Sequence, residues 1–87
     1  MGYSVVFSPV AEKDLTSLST SIAKRILTKI QVNSEDPRAH SKPLKGQAPP
    51  VYSLRVGEYR VLFELDDDRL EMFVLLLRHR SVVYRDF

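Results

Sequence analysis

The chain has 87 residues, 44% of them hydrophobic and 28% charged, with a formal net charge of +2. That length suits one domain, spanning residues 1–87, and the composition is that of a folded globular chain rather than a disordered one. The absence of cysteine excludes a disulfide framework and a thiolate zinc site, and it points to a reducing compartment. No apolar run approaches the ~18 residues that span a bilayer, and the first residues lack a secretory pattern, so a cytoplasmic protein without membrane contact is expected.

Tyr3 to Phe7 is β-branched and aromatic and stops at Ser8-Pro9, which predicts a strand. Ser8 can cap free N–H groups and Pro9 suits the first helical position, so Val10 to Leu18 is expected as a short helix. Ser19, Thr20 and Ser21 interrupt it. Beyond them Ile22, Ile26 and Ile30 recur every four residues, with Ala23 and Leu27 beside them, the pattern of an amphipathic helix lying on a core. Glu35-Asp36-Pro37 closes that helix.

Arg38 to Pro50 contains Pro43, Gly46, Pro49 and Pro50 and reads as a stiff connecting loop. Three strands follow: Val51 to Val56, Tyr59 to Asp66, and Leu70 to Arg78. The gaps at Gly57-Glu58 and Asp67-Asp68 are short enough for hairpins, so the three form an antiparallel meander. The order β-α-α-β-β-β predicts an α+β fold: a small antiparallel sheet, built from the meander and the N-terminal strand, with two helices packed on one face.

Charge is segregated along the chain. Arg38, Lys42, Lys45, Arg55 and Arg60 make one segment basic, Glu64 to Glu71 is acidic, and Arg78, Arg80 and Arg85 make the tail basic again. Strand alternation puts Tyr52, Leu54 and Val56 on one face with Tyr59, Val61, Phe63 and Leu65, leaving Ser53, Arg55 and Arg60 on the other. The last strand is apolar on both faces and should be central, so alternation leaves the direction of Arg78 open. An arginine on such a face is ordinarily solvated and paired, and Glu58 or Glu64 could serve Arg60. His40 and His79 lack the spaced partners of a metal site. Tyr84 reads by default as a packing residue at an edge.

These segments together resemble the RelE/ParE superfamily of toxins from prokaryotic toxin–antitoxin pairs. The likeness is carried by Tyr3 to Pro9, Lys13-Asp14-Leu15, Asp36-Pro37, Lys42-Pro43-Leu44-Lys45-Gly46, Tyr52 to Glu64, and Arg78 to Arg85. Members of the RelE-like branch carry an arginine on the strand of Arg60, another at the end of the strand of Arg78, and a tail tyrosine like Tyr84. The resemblance therefore implies a ribosome-dependent, metal-independent endoribonuclease that cuts mRNA and inhibits translation. It works without a cofactor, by attack of a ribose 2′-hydroxyl on the adjacent phosphate.

In that reading Arg60 and Arg78 stabilise the phosphate in the transition state. Tyr84 orients or deprotonates the 2′-hydroxyl, and Lys42, Lys45, Arg55 and Arg80 bind RNA or ribosome. A phenol ordinarily ionises near pH ~10, and neighbouring cations are what bring it lower. Some RelE-like toxins place two lysines where this chain has Val51 and Ser53, and other members use a histidine near the C-terminus. The general base thus stays open between Tyr84 and His79. The implied partners are a RelB-like antitoxin and a 70S-type ribosome with mRNA in its A site. The alternatives are a ParE-like inhibitor of DNA gyrase and an inactive member kept for antitoxin binding.

Overall fold

The computed structural model describes residues 2–84; Arg85 and Asp86 of the basic tail lie outside the described residues. In chain order the elements are β1 (Ser4–Phe7), α1 (Pro9–Thr16), α2 (Thr20–Asn33), β2 (Ser41–Pro43), β3 (Tyr52–Val56), β4 (Tyr59–Asp66) and β5 (Glu71–His79). Both helices begin on serine caps. Ser8 Oγ accepts from the Ala11 N–H at 3.0 Å with Pro9 at the first helical position, and Ser19 Oγ accepts from the Ile22 N–H at 3.4 Å. Each serine thus satisfies a donor that the first helical turn leaves without an intrahelical acceptor.

The five strands form one sheet in the order β1-β5-β4-β3-β2. The meander β3-β4-β5 is antiparallel, as its short turns require. Gly57 makes the first turn with φ of +58°, a backbone conformation that glycine adopts without steric cost. In the second turn Asp66 Oδ1 accepts from the N–H groups of Asp68 and Arg69, both at 3.1 Å.

Two features depart from the sequence expectation. β1 runs parallel to β5, from Ser4 opposite Glu71 to Phe7 opposite Val74, so the sheet is mixed rather than wholly antiparallel. β5, apolar on both faces, needs a neighbour on each edge, and β1 reaches it only through the long connection that parallel pairing demands. Inside the segment that composition marks as a loop, β2 pairs antiparallel with β3, Lys42 lying opposite Ser53. This short strand covers an edge of β3 that would otherwise leave its hydrogen-bonding groups unpaired, and Pro43 is tolerated because β2 is itself an edge.

The main core lies between the helices and one face of the sheet. Ala11, Ile26 and Ile30 meet Leu54, Val56, Val61, Phe63, Met72, Val74 and Leu77, with Ile22, Tyr52, Tyr59 and Leu65 packed around them. Both helices therefore cover the apolar rows that alternation identifies. A second, smaller cluster sits on the opposite face, where Val83 packs with Val51, Leu62 and Leu76. Its cause is a bulge: Leu62 pairs with Leu76 but Phe63 pairs with Val74, leaving Leu75 as the extra residue of β5. Met72, Val74 and Leu77 thereby all face the helices, while Leu76 and Arg78 face away. No helix among the described residues is long and apolar enough to cross a membrane.

Candidate functional site

Strand register builds the site. Arg55 on β3 lies opposite Arg60 on β4, and Arg60 lies opposite Arg78 on β5. Three arginines therefore form a cross-strand row on the face the helices leave open, on strands spaced about 4.8 Å apart. Like charges directly opposite one another destabilise a sheet. Such a conflict is the kind that function, rather than folding, maintains.

The three guanidiniums have different surroundings. Arg60, half-buried, curls over the β3–β4 turn, where its Nη1 donates to Gly57 O at 3.0 Å and to Tyr59 O at 2.9 Å. These carbonyls orient the group without neutralising its charge. Among the described residues no carboxylate pairs with Arg60 or with the exposed Arg55. Glu58, a sequence-level partner for Arg60, instead holds Arg80, Oε2 to Nε at 2.8 Å. Arg78 is drawn to the sheet edge, where its Nε donates to Asp14 Oδ2 at 3.2 Å; the same oxygen accepts from the Leu77 N–H at 3.2 Å. That pair is largely buried, with 28% of the Arg78 and 15% of the Asp14 side chain exposed.

The adjoining row holds Lys42, Ser53 and Leu62 on β2, β3 and β4. Val83, completely buried over Leu62 and Leu76, pulls the C-terminal turn across this row. It thereby sets Tyr84 so that its hydroxyl lies 3.2 Å from Ser53 Oγ. Tyr84 itself is 45% exposed, so packing in this turn is the work of Val83 and leaves the phenol accessible. The result is a groove of about 730 Å³ lined by Lys42, Lys45, Arg55, Arg60 and Tyr84, with Ser53 and His40 among the remaining wall residues.

Five of the eight residues singled out from the sequence thus meet in one groove. Arg78 shares the arginine row, but its guanidinium is turned to Asp14. Arg80 lies outside the groove in its pair with Glu58. His79 pairs with Tyr59 across β4–β5 on the helix-bearing face, and its ring meets Tyr59 edge-on at 5.6 Å. Its Nδ1 accepts from the Ser81 N–H at 3.2 Å. The fold does not bring His79 together with the arginine row. Ser53 and His40 carry no sequence motif. Alternation does put Ser53 on the face of Arg55, whereas His40 becomes legible only once β2 is recognised.

A second charged cluster forms around Arg38, just ahead of β2. Arg38 grips Asp67 in the β4–β5 turn with two bonds of 2.9 and 3.1 Å, and its Nε donates to the Tyr52 hydroxyl at 3.1 Å. Tyr3 donates to Asp67 Oδ1 at 2.6 Å. The Arg38 bonds, with that from Tyr3, hold the Asp67 carboxyl below its ordinary range, and donation to Asp67 raises the Tyr3 phenol. The clamp fixes the chain just ahead of β2, which carries Lys42 into the groove. Among the described residues no three His, Asp or Glu side chains gather as ligands for a metal ion.

A cationic groove with one accessible phenol is suited to a phosphate-bearing ligand, because guanidinium forks match phosphate oxygens in shape and charge. Comparison with known proteins identifies the family of the chain. Residues 5–84 match the family model described as ParE toxin of type II toxin–antitoxin system. The chain is 31% identical over 86 residues to toxin RelG of Mycobacterium tuberculosis, covering 98% of this chain and 99% of that one. It is 29% identical over 90 residues to the mRNA interferase toxin RelE of Escherichia coli, covering 99% and 94%. The fold superposes with a TM-score of 0.84 on a chain in the crystal structure of the toxin–antitoxin complex RelBE2 from M. tuberculosis, at 30% identity over 92% of this chain and all of that one. With a family model spanning β1 to the C-terminal turn and the same fold in that complex, the chain belongs to the RelE/ParE superfamily of type II toxin–antitoxin toxins.

Proposed function

We propose that this toxin is a ribosome-dependent mRNA endoribonuclease of the RelE-like branch, restrained by a RelB-like antitoxin. The observation that carries the reading is the groove itself. Arg55 and Arg60, unpaired with any described carboxylate, stand beside an accessible Tyr84 whose hydroxyl is oriented by Ser53. A surface used only for protein contact would not need uncompensated guanidiniums directly opposite one another. Phosphodiester cleavage makes use of such cations, because charge grows on the non-bridging and leaving oxygens as the 2′-oxygen attacks.

In the mechanism the message lies along the groove of a toxin bound in the A site of a 70S ribosome. Lys42 and Lys45 at the rim, with Arg55, hold backbone phosphates through sequence-independent contacts. Arg60 faces the scissile phosphate, already oriented by its bonds to Gly57 and Tyr59. Arg78, anchored on Asp14, adds positive potential from the end of the row, and Arg80 contributes at the periphery. Tyr84 orients the 2′-hydroxyl for in-line attack, which yields a 2′,3′-cyclic phosphate and a free 5′-hydroxyl without a metal ion or cofactor.

The family model carries the ParE name, which keeps inhibition of DNA gyrase as the second reading. Inducing the chain in growing cells while following protein synthesis, message integrity and plasmid supercoiling separates the two. Rapid message cleavage with supercoiling intact is expected; loss of supercoiling with messages intact would replace the nuclease by the gyrase inhibitor. A chain that binds antitoxin but leaves all three unchanged would be an inactive member.

A further inference from the structure

The groove contains a side chain that neither the arginine row nor the tyrosine accounts for. His40 immediately precedes β2, and Ser41 is paired with Leu54. Register therefore sets His40 across from Arg55, on the face shared by Lys42 and the arginines, and it is exposed within the groove wall. The titratable groups that line the groove with it are Lys42 and Lys45 from β2 and the following loop, Arg55 from β3, Arg60 from β4 and Tyr84 from the C-terminal turn. The described lining contains no carboxylate. Lysine and arginine offer donors only, and hydroxyls are weak bases, so the imidazole of His40 is the one side chain in the described lining with a nitrogen that can accept a proton.

The geometry points to His40 as the general base of the cleavage reaction. This deepens the nuclease reading and rests on it. The free imidazole nitrogen takes the proton of the 2′-hydroxyl that Tyr84 orients. The 2′-oxygen forms its bond to phosphorus as the bond from phosphorus to the 5′-oxygen breaks. The departing 5′-oxygen, held by Arg60, takes a proton from water, and the imidazolium returns its own proton to solvent. A histidine near the C-terminus is not needed, in keeping with the position of His79 on the other side of the sheet.

The test is single-turnover cleavage of a defined mRNA on 70S ribosomes, as a function of pH, by the parent, His40→Gln and His40→Ala. Removal of a positioned base should slow the chemical step by ~10²-fold or more. His40→Gln should also flatten the acid limb of the pH–rate profile, and free imidazole added to His40→Ala should restore part of the rate. Ribosome affinity and the thermal midpoint should match the parent, since the side chain is exposed. Cleavage by His40→Gln at the parent's rate with the parent's pH profile overturns the assignment while leaving the nuclease reading intact. A loss confined to ribosome affinity also overturns it, making His40 a binding residue. A parent that cuts no message removes the nuclease reading and this inference together.

Discussion

Replacing Arg60 by alanine should separate activity from stability, in opposite directions. On the activity side, a guanidinium about 5 Å from a phosphate, at an effective dielectric near 20, contributes ~3 kcal/mol. Losing it should slow cleavage by roughly 10²-fold. On the stability side, the substitution removes a charge set opposite both Arg55 and Arg78, and relief of like-charge pairs is worth about 0.2–1 kcal/mol each. Against this stands the loss of two bonds, one to the exposed Gly57 carbonyl, where water can replace the donor, and one to the part-buried Tyr59 carbonyl. The expected change in unfolding free energy is therefore within about 1 kcal/mol, with stabilisation as the favoured sign. Single-turnover cleavage on ribosomes, paired with urea denaturation of the same preparations, measures both. Near-parental cleavage by Arg60→Ala, or a large fall in the urea midpoint, would refute the view that the row is kept for chemistry at the expense of the fold.

Tyr84→Phe should lose at least ~10-fold in cleavage rate with an unchanged melting curve, whereas Val83→Ala, which empties a buried site, should cost about 2 kcal/mol in denaturant unfolding. Arg78→Ala should differ from Arg60→Ala by destabilising the protein by about 1–3 kcal/mol, because it leaves the largely buried Asp14 carboxylate without its guanidinium; chemical denaturation checks this. The depressed Asp67 pKa contributes stability that is present above the unfolded carboxylate value of about 4 and is lost as pH falls through the folded value. The raised Tyr3 pKa contributes stability that is present below about 10 and is lost as pH rises through its folded value. Asp67→Asn should weaken both dependences in thermal unfolding followed across pH.

Much of this protein is determined by short-range pattern. The spacing of Ile22, Ile26 and Ile30, the Ser8 cap, and the alternation from Tyr52 to Leu65 are local properties, and each appears in the structure where the pattern puts it. The same alternation determines that Ser53, Arg55 and Arg60 share the open face. What only the tertiary structure decides depends on residues far apart in sequence. The direction of Arg78 is the clearest case. Simple alternation from Met72 and Val74 would turn Arg78 toward the helices, and the single extra residue at Leu75 turns it to the open face. Its guanidinium is then claimed by Asp14, 64 residues away. Likewise β2 forms because β3 offers an unpaired edge, and that pairing carries His40 and Lys42 into the groove. Burial of Val83 against Leu62 and Leu76 on the open face is what brings Tyr84 to Ser53. A bulge, an edge pairing and a buried anchor each draw their energy from the partner strand or layer, so the residues that make them carry no periodic signal of their own.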